Sequence, residues 1–123
     1  MLSEQCNDVA QQRELLTALR NPEIYAHPVT SIEVVETHIS WVILAGEFAY
    51  KIKKAVDLGF LDFSTLQKRR HYCEEEMRLN ARWAPGLYLG VVPIRGSRGR
   101  PSLSDEGEVI EYAVKMRQFP QEM

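Results

Sequence analysis

Cysteine is scarce in this chain. Cys6 and Cys73 are the only two in 123 residues, and no Cys-x-x-Cys occurs, so a disulfide framework is excluded. No run approaches the roughly 18 apolar residues of a membrane span, which argues against a membrane partner. The opening residues, MLSEQCNDVAQQ, lack the apolar centre of a signal peptide. These absences predict a reduced, cytoplasmic protein whose thiols are structural or incidental. Net charge is −2, so no general electrostatic case exists for nucleic-acid binding. No His, Cys and Asp grouping has metal-ligand spacing. No Ser-His-Asp set can be assembled, because the serines are scattered among caps and turns. Internal repeats and low-complexity segments are absent too.

What remains is a globular composition, 45% apolar and 26% charged, long enough for one domain or one lobe. Residues 7–20 carry Val9, Leu15, Leu16 and Leu19 at helical spacing, with Asn7 or Asp8 as cap. Asn21-Pro22 ends that helix. Ser31–Thr37 is rich in β-branched residues and reads as a first strand.

Trp41–Lys54, WVILAGEFAYKIKK, organises the rest. It reads as a hairpin turning at Ala45-Gly46-Glu47. Period two puts Phe48, Tyr50 and Ile52 on one face and Ala49, Lys51 and Lys53 on the other. A small residue and a lysine two apart make a flat slot with a cation at its rim, a place for an aromatic base with phosphates attached. Read from the residues alone, Lys51 is more readily an ordinary edge or surface lysine.

Asp57–Phe63, DLGFLDF, is a loop with exposed apolar residues. Ser64 is the expected N-cap of a long helix running from Thr65 to about Trp83. Leu66, Arg70, Cys73, Met77 and Asn80 share one line of it; Tyr72, Glu76, Leu79 and Trp83 share the next. The apolar stripe crosses Glu74, Glu75 and Glu76, so one of the three should face inward and the others solvent. Met77, Leu79 and Trp83 are expected in the core. Ala84-Pro85-Gly86 stops the helix. Two strands follow, Leu87–Ile94 and Glu108–Met116. A short strand near Ser102–Ser104 lies between them, after a basic turn holding Arg95, Arg98 and Arg100, expected to be solvated. His38 is expected to pack beside Trp41, and His71 to be solvated. The fold class is α+β: an antiparallel sheet of about five strands with one long helix packed on it, plus an N-terminal helix.

That order resembles the small, nucleotide-binding lobe of the protein-kinase-like fold. The segments ETHISWVILAGEFAYKIKKAV, LDFSTLQKRRHYCEEEMRLNARWAPGLYLGVVPI and EYAVKMRQF resemble the N-terminal part of bacterial aminoglycoside-phosphotransferase-like proteins, some of which carry a further P-loop ATPase domain. The resemblance runs from about Tyr25 to the end. It implies a helical extension over residues 1–30, the lobe over 31–119, and the start of a hinge at 120–123. It implies a fragment that stops before a large lobe, and that lobe would bring the catalytic base and metal ligands. The implied cofactor is ATP or GTP with Mg²⁺. The implied partners are an unknown small-molecule acceptor and the missing lobe, with self-association of the uncovered face.

Residue by residue, the resemblance makes Lys51 the phosphate-contacting lysine, with Lys53 as fallback. Glu76 becomes the helix carboxylate that holds it, with Glu75 as fallback. Val42 and Ala49 would sandwich the base. Met116 would precede the hinge, and the main chain of Arg117 and Phe119 would read the base edge. The turn Thr37-His38-Ile39-Ser40 lacks the glycines of a kinase phosphate loop, so the hydroxyls of Thr37 and Ser40 are expected to donate instead. No His-x-Asp and no Asp-Phe-Gly is present, so no catalytic or metal-binding residue is expected in this stretch. The other function class that fits is a non-catalytic kinase-like interaction or regulatory module.

Overall fold

The computed structural model describes residues 3–118. Its elements are α1 (Val9–Ala18), a 3₁₀ turn (Pro22–Ile24), β1 (Ile32–Glu36), β2 (Ser40–Ala45), β3 (Phe48–Lys53), α2 (Leu66–Asn80), β4 (Tyr88–Gly96), β5 (Pro101–Ser102) and β6 (Val109–Arg117). The strands make one antiparallel sheet in the order β1-β2-β3-β6-β4-β5. The architecture is α+β. The sheet has six strands rather than five, because the short segment at Pro101–Ser102 pairs with the end of β4.

Asp8 caps α1, its Oδ1 accepting from the amide of Gln11 at 2.8 Å. The expected Ser64 cap on α2 is one residue early. Thr65 is extended, and its Oγ1 accepts from the amide of Lys68 at 3.1 Å, the reach an N-cap hydroxyl has. The Ser64 amide is taken by Asp62 Oδ1. Regular α2 ends at Asn80 instead of Trp83. Trp83 therefore falls beyond the helical stripe and is 86% exposed, and Leu79, also expected in the core, is 49% exposed within the helix.

The β2–β3 hairpin turns through Gly46 and Glu47, with Ala45 paired to Phe48. Gly46 sits at φ +65° and no described non-glycine residue has positive φ. That combination is a type II′ turn, which asks for glycine at its first central position.

Residues opposite one another in the ladder share a face. Trp41, Ile43 and Ala45 thus lie with Ile52, Tyr50 and Phe48, and Ser40, Val42 and Leu44 with Lys53, Lys51 and Ala49. The first face meets Leu15, Leu16 and Leu19 of the N-terminal segment in the main core. Burying each leucine contributes about 1.5–3 kcal/mol, so the segment from Cys6 to Tyr25 shares the sheet's core. Helix α2 packs on β4 and β6. Trp41 is flanked by cations rather than by His38: Arg13 and Lys54 stand 5.5 and 4.8 Å from its ring, and His38 is exposed. In the basic turn, Arg98 is not solvated. It reaches Glu4 and Glu14 and donates to the carbonyl of Gln5.

Candidate functional site

Strand β3 ends in alternating lysines, and α2 runs past them. Lys51 and Lys53 point to the same side by period two. Glu76 sits on the turn of α2 that faces them. Lys51 Nζ lies 3.1 Å from Glu76 Oε2, and Lys53 Nζ holds Glu76 Oε1. One carboxylate thus serves two ammonium groups. Lys53 is the inner of the two, 8% exposed at its side chain against 27% for Lys51, and it also stands over the Phe63 ring.

Burial alone would raise the pKa of Glu76. The Lys53 bond and charge, helped by Lys51, outweigh it and hold the carboxyl below its ordinary value. Glu75 turns outward to Arg78 at 2.7 Å, and Glu74 toward Arg70 at 3.6 Å. Of the three acids, only Glu76 grips β3.

The pair lines an open groove of about 440 Å³, walled by Phe63, Tyr72, Leu79 and Tyr88. The groove's lining sets Lys51 and Lys53 against Glu76 and Glu75, the latter paired outward with Arg78, and its walls are aromatic and apolar. Cys73, on the same helix, is inert there: burial pushes its thiol up to about 12.

Val42 pairs with Lys51, and Ala49 pairs with both Leu44 and Met116. Val42, Ala49, Lys51 and Met116 therefore share the face of the sheet that carries the groove. Tyr88 pairs with Met116 and closes one end. Arg117 is placed differently. Its amide donates to the Leu87 carbonyl, and its guanidinium stands over Phe48 on the opposite face. Gln118 fastens the strand's end to the hairpin, donating to the carbonyls of Glu47 and Gly46. Phe119 and residues 120–123 lie outside the described residues.

The β1–β2 turn does not present its hydroxyls as expected. Thr37 Oγ1 accepts from the amides of Ile39 and Ser40 and donates to the Ser40 carbonyl. It is committed to closing the turn. Ser40 is 1% exposed, and its hydroxyl has no partner among the described residues. No group of three His, Cys, Asp or Glu residues that could hold a metal ion occurs among the described residues.

A buried polar hub behind the groove had no counterpart in the sequence reading. The Gln12 side-chain amide donates to the Lys53 carbonyl at 2.9 Å and to Glu111 Oε2 at 3.0 Å. Its oxygen accepts from Trp41 Nε1 at 3.0 Å and the Ala55 amide at 2.9 Å. All four hydrogen-bonding positions of the amide are used. Arg69 completes the hub, donating to Glu111, to the Phe63 carbonyl and to the Cys6 carbonyl. Burial pushes the Glu111 carboxyl up, against the pull of Arg69 and Gln12. The hub ties α1, α2 and β6 to the backbone of Lys53.

No family model matches the chain, and no solved structure matches it. The chain is similar to the uncharacterized protein Rv2004c of Mycobacterium tuberculosis (strain ATCC 25618 / H37Rv). The two are 44% identical over 77 residues, 60% of this chain and 16% of that protein. The same values hold for the uncharacterized protein Mb2027c of Mycobacterium bovis (strain ATCC BAA-935 / AF2122/97). The matched stretch spans about a sixth of the length of these curated relatives.

Proposed function

We propose that the groove between β3 and α2 holds the phosphates of ATP or GTP, and that the chain is the nucleotide-binding half of a small-molecule kinase acting on a hydroxyl. One observation carries this reading. Glu76 fixes the ammonium of Lys51 at the edge of an open aromatic groove. A lysine suits that task because it is a compact point charge that reaches between phosphates. The face shared by Val42, Ala49 and Met116 supports a flat base lying beside it. The placement of β6 between β3 and β4 supports the kinase-like small lobe that the sequence resembles.

In such a reaction this chain's work is electrostatic and positional. Lys51 neutralises phosphate charge, Glu76 keeps it aimed, and the apolar walls exclude water. The described residues do not fit Mg²⁺. Glu76 is shared by two lysines and Glu75 is paired with Arg78, so no carboxylate of the groove is left for a metal. The acceptor, the base and the metal ligands are assigned to polypeptide beyond this lobe.

The test is calorimetric titration of the natural gene product with MgATP and MgGTP. Lys51→Ala should weaken the preferred nucleotide at least tenfold while the thermal melt stays sharp. Equal binding by the variant would remove Lys51 from the phosphates and end this reading.

A second reading has its own observation. Because the Thr37 hydroxyl is engaged in its own turn and the Ser40 hydroxyl is buried, the β1–β2 turn offers neither to a phosphate. A non-catalytic interaction module would need none. Its contact surface would include Phe60 and Trp83, which are 83% and 86% exposed. Absence of any nucleotide binding by the natural gene product would favour it.

A further inference from the structure

The opposite face of the sheet carries a second concavity, away from Lys51 and Glu76. It has a volume of about 150 Å³ and is lined by Ala26, His27, Tyr50, Val92, Leu103 and Lys115. Tyr50 and Lys115 are direct cross-strand partners, and Lys51 pairs with Val114 on the other side. The two sites are therefore separated by the sheet itself.

The chain has five lysines. Lys51, Lys53, Lys54 and Lys68 each hold a carboxylate. Lys115 has neither a carboxylate nor a hydrogen-bond partner among the described residues. It stands 4.3 Å from the centre of the Phe48 ring, half-buried, at the wall of the cavity. The ring fixes where the ammonium is without neutralising it.

The other polar groups are already engaged. A carbonyl only accepts, so His27 Nδ1, 3.3 Å from the Pro28 carbonyl, carries the proton. In the neutral ring Nε2 then accepts from the Tyr50 hydroxyl at 2.8 Å. Among the described residues that leaves Lys115 as the one unneutralised cation lining the cavity, beside the apolar surfaces of Ala26, Val92, Leu103 and the Tyr50 ring. The exposed Arg117 stands over the Phe48 ring, outside the lining. A cavity of about 150 Å³ takes one benzene-sized ring.

We propose that this cavity is a binding site for a small aromatic monocarboxylate, its ring among Val92, Leu103 and Tyr50 and its carboxylate on Lys115. The match is one of volume and of charge. A neutral ring would leave the ammonium unpaired, and a polyanion would bring charge that no other residue lining the cavity meets. Specificity comes from the single cation, while the cavity's size sets the ligand's bulk.

The experiment is equilibrium dialysis of radiolabelled benzoate against the natural gene product, with benzyl alcohol as the uncharged counterpart. Benzoate should bind saturably and at least tenfold more tightly than the alcohol. Lys115→Met should abolish that preference and Lys115→Arg should keep it. Leu103→Trp, which fills the cavity, should remove binding of both. Lys51→Ala should leave benzoate binding unaltered, since it lies across the sheet. Lack of saturable benzoate binding, an unaltered preference in Lys115→Met, or loss of binding in Lys51→Ala would each overturn the proposal. A circular-dichroism melt on every variant separates loss of the site from loss of the fold, and Lys115→Arg binding like Lys115→Met would also refute it.

Discussion

Arg69 Nε donates to Glu111 Oε1 across 3.0 Å, and neither side chain has any exposure to solvent. The two come from α2 and β6, and Gln12 of α1 completes the contact. Removing one member of such a pair strands a buried charge, which costs about 3–5 kcal/mol. Arg69→Met should lower the unfolding free energy obtained from urea titration by that order. The double variant Arg69→Met with Glu111→Leu should recover much of the loss, because no charge is then left alone. If the double variant is as unstable as the sum of the singles, the pair is not coupled and the hub is only packing.

Part of this architecture was legible in the residues. The alternation Phe48-Ala49-Tyr50-Lys51-Ile52-Lys53 gave β3 and its two faces, because the strand period is two. Gly46 in its setting gave the hairpin. The apolar stripe crossing three glutamates required one of them to turn inward, and Glu76 does. The hub was not legible. Gln12 lies three and four residues before Leu15 and Leu16, on the stripe that α1 buries, so a polar residue on that stripe was the available signal. Its partners Arg69 and Glu111 are 57 and 99 positions away in sequence, and periodicity says nothing about such distances. Trp83 failed for a different reason: the helix stops at Asn80, and the stripe loses its meaning beyond that point. The commitment of Thr37 to its own turn is a matter of local hydrogen bonding, which the residue types permit but do not dictate.

Gly46 is predicted to be irreplaceable. A Cβ built there would come within 2.4 Å of the Pro28 carbonyl oxygen, and φ at +65° is unfavourable for a side chain. Gly46→Ala should cost at least about 2 kcal/mol, adding backbone strain of about 1–3 kcal/mol to a clash that moves the His27–Pro28 segment. Chemical denaturation checks the value. A loss below 0.5 kcal/mol, taken as an approximate threshold from surface substitutions, would mean that the hairpin and the segment do not touch in solution.

Acid should release two carboxylate contacts. The Lys68 bond, with Ser64, holds Asp62 down at about 2. A carboxyl whose folded value lies below its unfolded one contributes stability above the unfolded value and loses it as pH falls through the folded one. For Asp62 the window runs from its ordinary 3.8 down to about 2. Glu76 has the same sign, its contribution fading as pH drops below 4.5. Asp62→Asn and Glu76→Gln should therefore be less stable than the parent at pH 6, and the gaps should narrow steadily toward pH 2. Urea midpoints across that range measure this. A gap that widens in acid would reverse the assigned directions.

The sharing of Glu76 predicts how the two lysines respond to each other. Lys53 is the more buried and takes Oε1; Lys51 takes Oε2 and faces the groove. With both present, the carboxylate's charge is divided. Lys53→Met leaves Glu76 with Lys51 alone, so the ammonium of Lys51 is drawn into a full ion pair and is less available to a reagent. Acylation of Lys51 by an amine-reactive ester, followed by peptide mass spectrometry at pH 8, should then slow several-fold. Adding Glu76→Gln to Lys53→Met removes the carboxylate, and labelling should rise above that of the single variant. A bulk structural effect of losing Lys53 would loosen the groove and speed labelling in both variants. An unchanged or faster rate in Lys53→Met would show that Lys51 never felt the competition, and that the carboxylate belongs to Lys53 alone.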